Sequence, residues 1–108
     1  MLIYHLISAN DWAAVLESGQ YTPPSYASEG FIHFSTEAQV LETAKRFYND
    51  AQELVVLEVS EKMVKSALKW EPAEDQTLFP HVYAPLTVDQ ISDTHMIYKD
   101  AKGEWVWV

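Results

Sequence analysis

The chain has 108 residues, and sixteen acidic residues against seven basic ones give it a formal charge of −9. This length suits one domain, residues 1–108, and a hydrophobic fraction of 48% is enough for one packed core, which excludes a disordered chain. The absence of cysteine excludes disulfides, thiolate metal sites and cysteine nucleophiles, and it favours a reducing, cytoplasmic location. No run of about 18 apolar residues predicts a membrane span.

The charge also limits the partners. Arg46 is the only arginine, and apart from a short lysine series the basic residues are scattered. A long nucleic acid normally requires a cluster of Lys and Arg to replace its counterions, so this partner is not expected. A small anion, held by the backbone amides at one helix N-terminus, remains open.

The first thirty residues predict a strand, a helix and a loop. Residues 2–7 are apolar and predict the strand, after which Ser8 and Asp11 match the Ser-x-x-acid pattern that begins a helix. Gly19 is typical of the residue that ends one. Residues 20–30 contain two prolines, two serines and a glycine, and they predict a loop that could cover a neighbouring site.

The middle of the chain predicts a second helix between two strands. Residues 31–34 predict a short strand, and Thr36 with Gln39 forms a capping box. Residues 54–59 are continuously aliphatic, as in a buried central strand. The helix itself is marked by an apolar face made of Val40, Leu41, Ala44, Phe47 and Tyr48.

The last part predicts short strands and turns. Residues 62–67 and 88–91 predict helical turns, and residues 68–71 and 81–83 predict strands, the latter with Pro80 and Pro85 at its margins. Residues 96–99 and 104–108 flank a turn sequence and predict a hairpin. Two main helices and six or seven strands predict an α+β fold.

Several polar residues lie on these strands. Alternation puts Phe31, His33 and Ser35 on one face, where the amides after Ser35 open a helix and suit a phosphate. Alternatively, Ser35 only caps the helix and His33 is a core histidine. His81 and Tyr83 share another face, and Glu71 lies near a strand end.

Two further histidines complete the set. His5 lies in the apolar first strand and requires a hydrogen-bond partner there, whereas His95 is assigned to a surface turn. No histidine pair has the local spacing of metal ligands, so the sequence predicts no metal site.

Four ordered blocks resemble the DUF952 family of small bacterial domains of unknown function. The blocks extend over nearly the whole chain and are residues 3–5, 29–35, 69–71 and 79–86. The resemblance implies an ADP-ribosylation-like fold, a curved and split antiparallel β-structure with helices packed on it. Some enzymes with that fold bind NAD through a histidine on the first strand. The resemblance implies that His5 is the corresponding position.

Two functional hypotheses follow. In the first, the domain binds or processes NAD or ADP-ribose-like nucleotides, as a divergent ADP-ribosyl transferase or hydrolase. His5 then orients the ligand, and Glu71 faces the developing positive charge. The other expected roles are acid–base chemistry for His81 and ligand binding for His33, Ser35, Thr36 and Tyr83. In the second, the domain is a non-catalytic module for a small metabolite or a protein partner, and its histidines are structural.

Overall fold

The chain forms three α-helices and nine β-strands, and the computed structural model describes all of residues 1–108. The helices are α1 (Ala9–Ser18), α2 (Pro24–Glu29) and α3 (Val40–Phe47). The strands are β1 (Leu2–Ile7), β2 (Gln20–Tyr21), β3 (Ile32–His33), β4 (Glu53–Ser60), β5 (Leu68–Pro72), β6 (Leu78–Val82), β7 (Leu86–Thr87), β8 (Ile91–Lys99) and β9 (Trp105–Trp107). No helix is long and apolar enough to cross a membrane.

The strands form three antiparallel sheets. The first sheet has the order β1-β4-β8-β9, the second has the order β3-β6-β5, and β2 pairs with β7. The first and second sheets are joined by a bridge between Tyr4 and Ser35. The α+β class is therefore confirmed.

The aliphatic strand β4 lies at the centre of the first sheet and is buried on both faces. On one face, Leu54 and Val56 pack against Val40 and Ala44 of α3. On the opposite face, β4 packs against α1 through Val15. Apolar burial on both faces explains why the run of hydrophobic residues in β4 does not alternate with polar ones.

The second sheet packs on the same side of the first sheet as α1. Its inner face carries Ile32 and Val82, which join Ile3 and Val59 of the first sheet in one buried cluster. On its outer face, side chains of β3, β5 and β6 stay partly exposed. This arrangement positions the candidate site.

Local signals for helix ends and turns are confirmed. The Ser8 hydroxyl accepts a hydrogen bond from the Asp11 amide at 3.1 Å, and Gly19 ends α1 with a φ of 80°. The side chain of Gln39 accepts from the Thr36 amide at 2.9 Å. The hairpin of β8 and β9 closes at Gly103, which also has a positive φ.

Residues 20–30 are not one loop, as the sequence predicted. They contain β2 and the one-and-a-half-turn helix α2, which makes a third α-helix where two were expected. The prolines were misinterpreted because a proline interrupts a helix but is favourable in its first turn, where the amide has no partner. Pro24 is the first residue of α2.

Two other predictions in the second half of the chain are wrong: that Pro80 lies at the margin of a strand, and that His95 lies in a surface turn. Pro80 lies inside β6, the middle strand of the second sheet, where its carbonyl accepts a hydrogen bond from the Phe34 amide at 2.9 Å. His95 lies within β8 and is half-buried, because the turn-like sequence around it is drawn into the long pairing of β8 with β4.

Gln76 is the only non-glycine residue with a positive φ, at 71°. It lies at an exposed turn between β5 and β6, where its Cβ disfavours this conformation. We expect Gln76→Gly to raise the free energy of unfolding by about 0.5–1 kcal/mol, measured by urea denaturation. The control Gln52→Gly, at an exposed position without a positive φ, is expected to lower it; stabilisation by both changes would contradict this account.

Candidate functional site

The outer face of the second sheet groups titratable and aromatic side chains from three strands. We call this surface the histidine face. Strand pairing places His33 opposite His81, and Lys69 opposite His81 on the other side, so that the three residues form a row across the sheet. Alternation along the chain adds further members to the same face, namely Phe31, Glu71 and Tyr83.

The carboxylate of Glu71 is hydrogen-bonded to two other predicted site residues, His81 and Tyr83. The Nδ1 of His81 lies 2.7 Å from Oε1 of Glu71, and the Tyr83 hydroxyl donates to the same oxygen at 2.5 Å. These two hydrogen bonds, that of Tyr83 first, lower the pKa of the Glu71 carboxyl below its ordinary value. Glu71 is therefore ionised at neutral pH and fixes the orientation of the His81 ring.

Aromatic and imidazole rings lie around the His81 side chain. The Phe31 ring is stacked on the His81 ring at a centroid distance of 4.0 Å, and the His33 ring meets the His81 ring edge to face at 5.1 Å. His33 is 52% exposed, and its Nε2 lies 3.2 Å from both carboxylate oxygens of Glu29. The Lys69 ammonium lies 5.0 Å from the centre of the Tyr83 ring. The histidine face therefore combines stacking surfaces with a cation and two carboxylates.

His5 lies beneath the histidine face and not on it. Its side chain is 6% exposed, its Nδ1 donates to the His33 carbonyl at 2.5 Å, and its Nε2 accepts from the Tyr21 hydroxyl at 2.8 Å. Burial lowers the pKa of His5 to about 4, so the ring is neutral at physiological pH. With both nitrogens bonded inside the protein, His5 supports the peptide of His33 and has no free atom for a ligand.

Ser35 and Thr36 also lie apart from the histidine face. Ser35 is buried, and its hydroxyl is hydrogen-bonded to that of Thr43 at 3.0 Å. Its amide donates to Tyr4, and the Thr36 amide is taken by the side chain of Gln39. The expected cleft shared by His33 and Ser35 is not formed, because the chain leaves β3 after His33 and bridges to β1.

The sequence indicated no functional role for three members of this site, Phe31, Lys69 and Glu29. Alternation correctly placed Phe31 on the same face as His33, but it did not indicate that the Phe31 ring stacks on His81. The position of Lys69 on this face depends on the pairing of β5 with β6, and that of Glu29 depends on where α2 lies. A local sequence pattern specifies neither.

A titration of the carboxyl groups tests this geometry. We expect Tyr83→Phe to raise the pKa of Glu71, because the hydroxyl that contributes most to its lowering is removed. The measurement is the side-chain carboxyl chemical shift of Glu71 against pH. Tyr98→Phe, at an exposed position of β8, should leave it unchanged. An unaltered Glu71 titration in Tyr83→Phe would show that the hydrogen bond is absent in solution.

These features define a small antiparallel α+β domain with a histidine-rich, open sheet face. The chain belongs to the DUF952 family, described as a protein of unknown function, whose model matches residues 6–94. A search of curated proteins finds no match.

Solved structures agree with this fold. The X-ray structure of protein CC0527 from Caulobacter crescentus has a TM-score of 0.88 and 32% sequence identity, covering 98% of this chain and 94% of that one. The solution NMR structure of CC0527 has a TM-score of 0.83 and 33% identity, with 95% and 90% covered. The chain is thus similar in fold over nearly its entire length to a protein solved by two methods.

Proposed function

We propose that the histidine face binds a small nucleotide-like ligand of the NAD or ADP-ribose type. The observation that carries this proposal is the Glu71–His81–Tyr83 group, an ionised carboxylate that holds an acid–base residue and a phenol on a partly exposed surface. A likeness of the fold to the ADP-ribosylation fold forms part of the proposal.

The carboxylate of Glu71 suits the chemistry of a ribosyl centre. Its Oε1 is used by His81 and Tyr83, while its Oε2 makes no hydrogen bond within the protein. An ionised oxygen directed at a ribose C1′ stabilises the positive charge that develops when a glycosidic bond breaks. The same oxygen accepts a hydrogen bond from a ribose hydroxyl in a complex without chemistry.

The remaining members of the face supply contacts for the other parts of such a ligand. The exposed His33 and the partly exposed Phe31 offer planar surfaces on which a base or nicotinamide ring can stack. Lys69 is an exposed cation for a phosphate group. The Nε2 of His81 has no hydrogen-bond partner within the protein, so this nitrogen is available to a group of the ligand.

A second function, a non-catalytic module for a small metabolite or a protein partner, is favoured by His5. This histidine is neutral, buried and fully hydrogen-bonded, as a structural residue is. In that case the histidine face binds its partner without any bond being broken.

A thermal-shift screen tests the proposal. NAD, ADP-ribose, AMP and inorganic phosphate are added separately to the purified protein. A ligand at a hundred times its dissociation constant adds about 2.7 kcal/mol of stability, which a melting curve resolves. Stabilisation by NAD or ADP-ribose beyond that by phosphate supports the proposal, and ligand cleavage in the same samples would identify an enzyme. No stabilisation by any nucleotide at millimolar concentration would contradict it.

A further inference from the structure

A second group of polar side chains lies on the first sheet, away from the histidine face. Glu58 of β4 is paired with Asp93 of β8, and His95 follows two residues later on the same face. One potential ligand atom from each of the three lies within 4.8 Å of the others. Because neighbouring antiparallel strands hold all three, their separation is set by the sheet and not by mobile loops.

Glu58 is already oriented. Its side chain is 15% exposed, its Oε1 lies 2.9 Å from Nε2 of His95, and its Oε2 accepts from the Ser92 hydroxyl at 2.9 Å. A hydrogen bond to a ligating carboxylate is the kind of contact that holds metal ligands in place.

The charge of this group is not balanced within the protein. Neither Glu58 nor Asp93 forms an ion pair with a lysine or arginine, and the only basic partner of Glu58 is His95. Trp107 lies beside His95 at a ring distance of 6.1 Å and lines an open groove of about 480 Å³ that also contains Glu37. A third carboxylate in the adjoining groove makes the surroundings more negative.

We propose that Glu58, Asp93 and His95 bind one divalent transition-metal cation, with Zn²⁺ as the reference ion. Two carboxylates and one imidazole form a donor set of the kind that suits Zn²⁺ and related ions, and the nitrogen ligand favours them over Mg²⁺. The cation takes the place of the hydrogen bond between Glu58 and His95, and its remaining coordination positions face solvent. The sequence predicted no metal site because the group forms only through the pairing of β4 with β8.

Calorimetric titration of the full chain with ZnCl₂ tests this site, and MgCl₂ serves as the comparison ion. We expect one Zn²⁺ per chain, with saturable binding lost in both His95→Ala and Asp93→Asn. Asp93 is exposed, so its substitution should leave the fold intact, as circular dichroism would verify. The matched controls His33→Ala and His81→Ala remove the histidines of the other face and should retain the site.

Two results would overturn the proposal. One is the absence of saturable Zn²⁺ binding to the unaltered protein. The other is binding that survives in folded Asp93→Asn and His95→Ala; its loss in His33→Ala or His81→Ala would then assign the metal to the histidine face.

Discussion

Replacement of His5 by alanine is expected to lower the free energy of unfolding by about 3 kcal/mol. The change removes two hydrogen bonds and leaves the Tyr21 hydroxyl and the His33 carbonyl without their partner. It also creates a cavity beside Phe34, whose ring centre is 5.5 Å from that of His5. The measurement is urea denaturation at pH 7.5.

His33→Ala is the matched control for this effect. The His33 side chain is largely exposed and its ring is hydrogen-bonded only to Glu29, so its loss should cost less than about 1 kcal/mol. Equal stability of the two variants would contradict the structural role of His5.

Because burial lowers the pKa of His5, we expect the free energy of unfolding to depend on pH. In the unfolded chain His5 binds a proton near its ordinary pKa of 6.5, whereas in the folded protein its pKa is about 4. Its contribution to stability is therefore complete above pH 6.5 and is lost as the pH falls towards 4. Between pH 7.5 and 4.5 the loss should be about 2–3 kcal/mol.

This effect is isolated by comparison with His5→Gln, which cannot titrate. The other ionisable groups are shared by both proteins, so the difference in their stability should become smaller as the pH falls. A difference that is constant from pH 7.5 to 4.5 would show that His5 is not buried in its neutral form.

The second large effect is expected on ligand binding. Glu71→Gln removes the charge that holds His81 and Tyr83, and we expect it to weaken the binding of NAD or ADP-ribose by at least about tenfold, as loss of a charged hydrogen-bond partner does. His81→Ala should have an effect of similar size. Glu71 is partly exposed, so the melting temperature of the free protein should change little.

The control for binding lies on the first sheet. His95→Ala removes a partly exposed histidine that is hydrogen-bonded to Glu58, and it should leave nucleotide affinity unchanged. An equal loss of affinity in His95→Ala and Glu71→Gln would place the ligand outside the histidine face.

Local patterns predicted the elements that depend on neighbouring residues. The capped helix α1, the aliphatic strand β4 and the hairpin of β8 and β9 all carry their signals within a short segment. The helix α2 was not predicted, because Pro23 and Pro24 indicate a loop when considered alone, although they lie at the start of a helix.

The candidate site could be predicted only in part, because it depends on pairing between distant segments. Alternation correctly indicated that His81 and Tyr83 share a face, and the structure adds Glu71 to them through β5–β6 pairing. The position of His5 in β1 was predicted correctly, but the sequence does not specify which side of that strand meets the second sheet. Pairing between distant segments also explains why the sequence did not indicate the contact between His95 and Glu58.

The most direct test of the central claim is to locate the bound ligand. Side-chain ¹H–¹⁵N NMR spectra of the four histidines, recorded during titration with ADP-ribose, report each ring separately. We expect the signals of His33 and His81 to shift together and to saturate, while that of His95 stays in place. Saturable shifts confined to His95, or no shifts at all with ADP-ribose or NAD, would contradict the assignment of the histidine face as a nucleotide site.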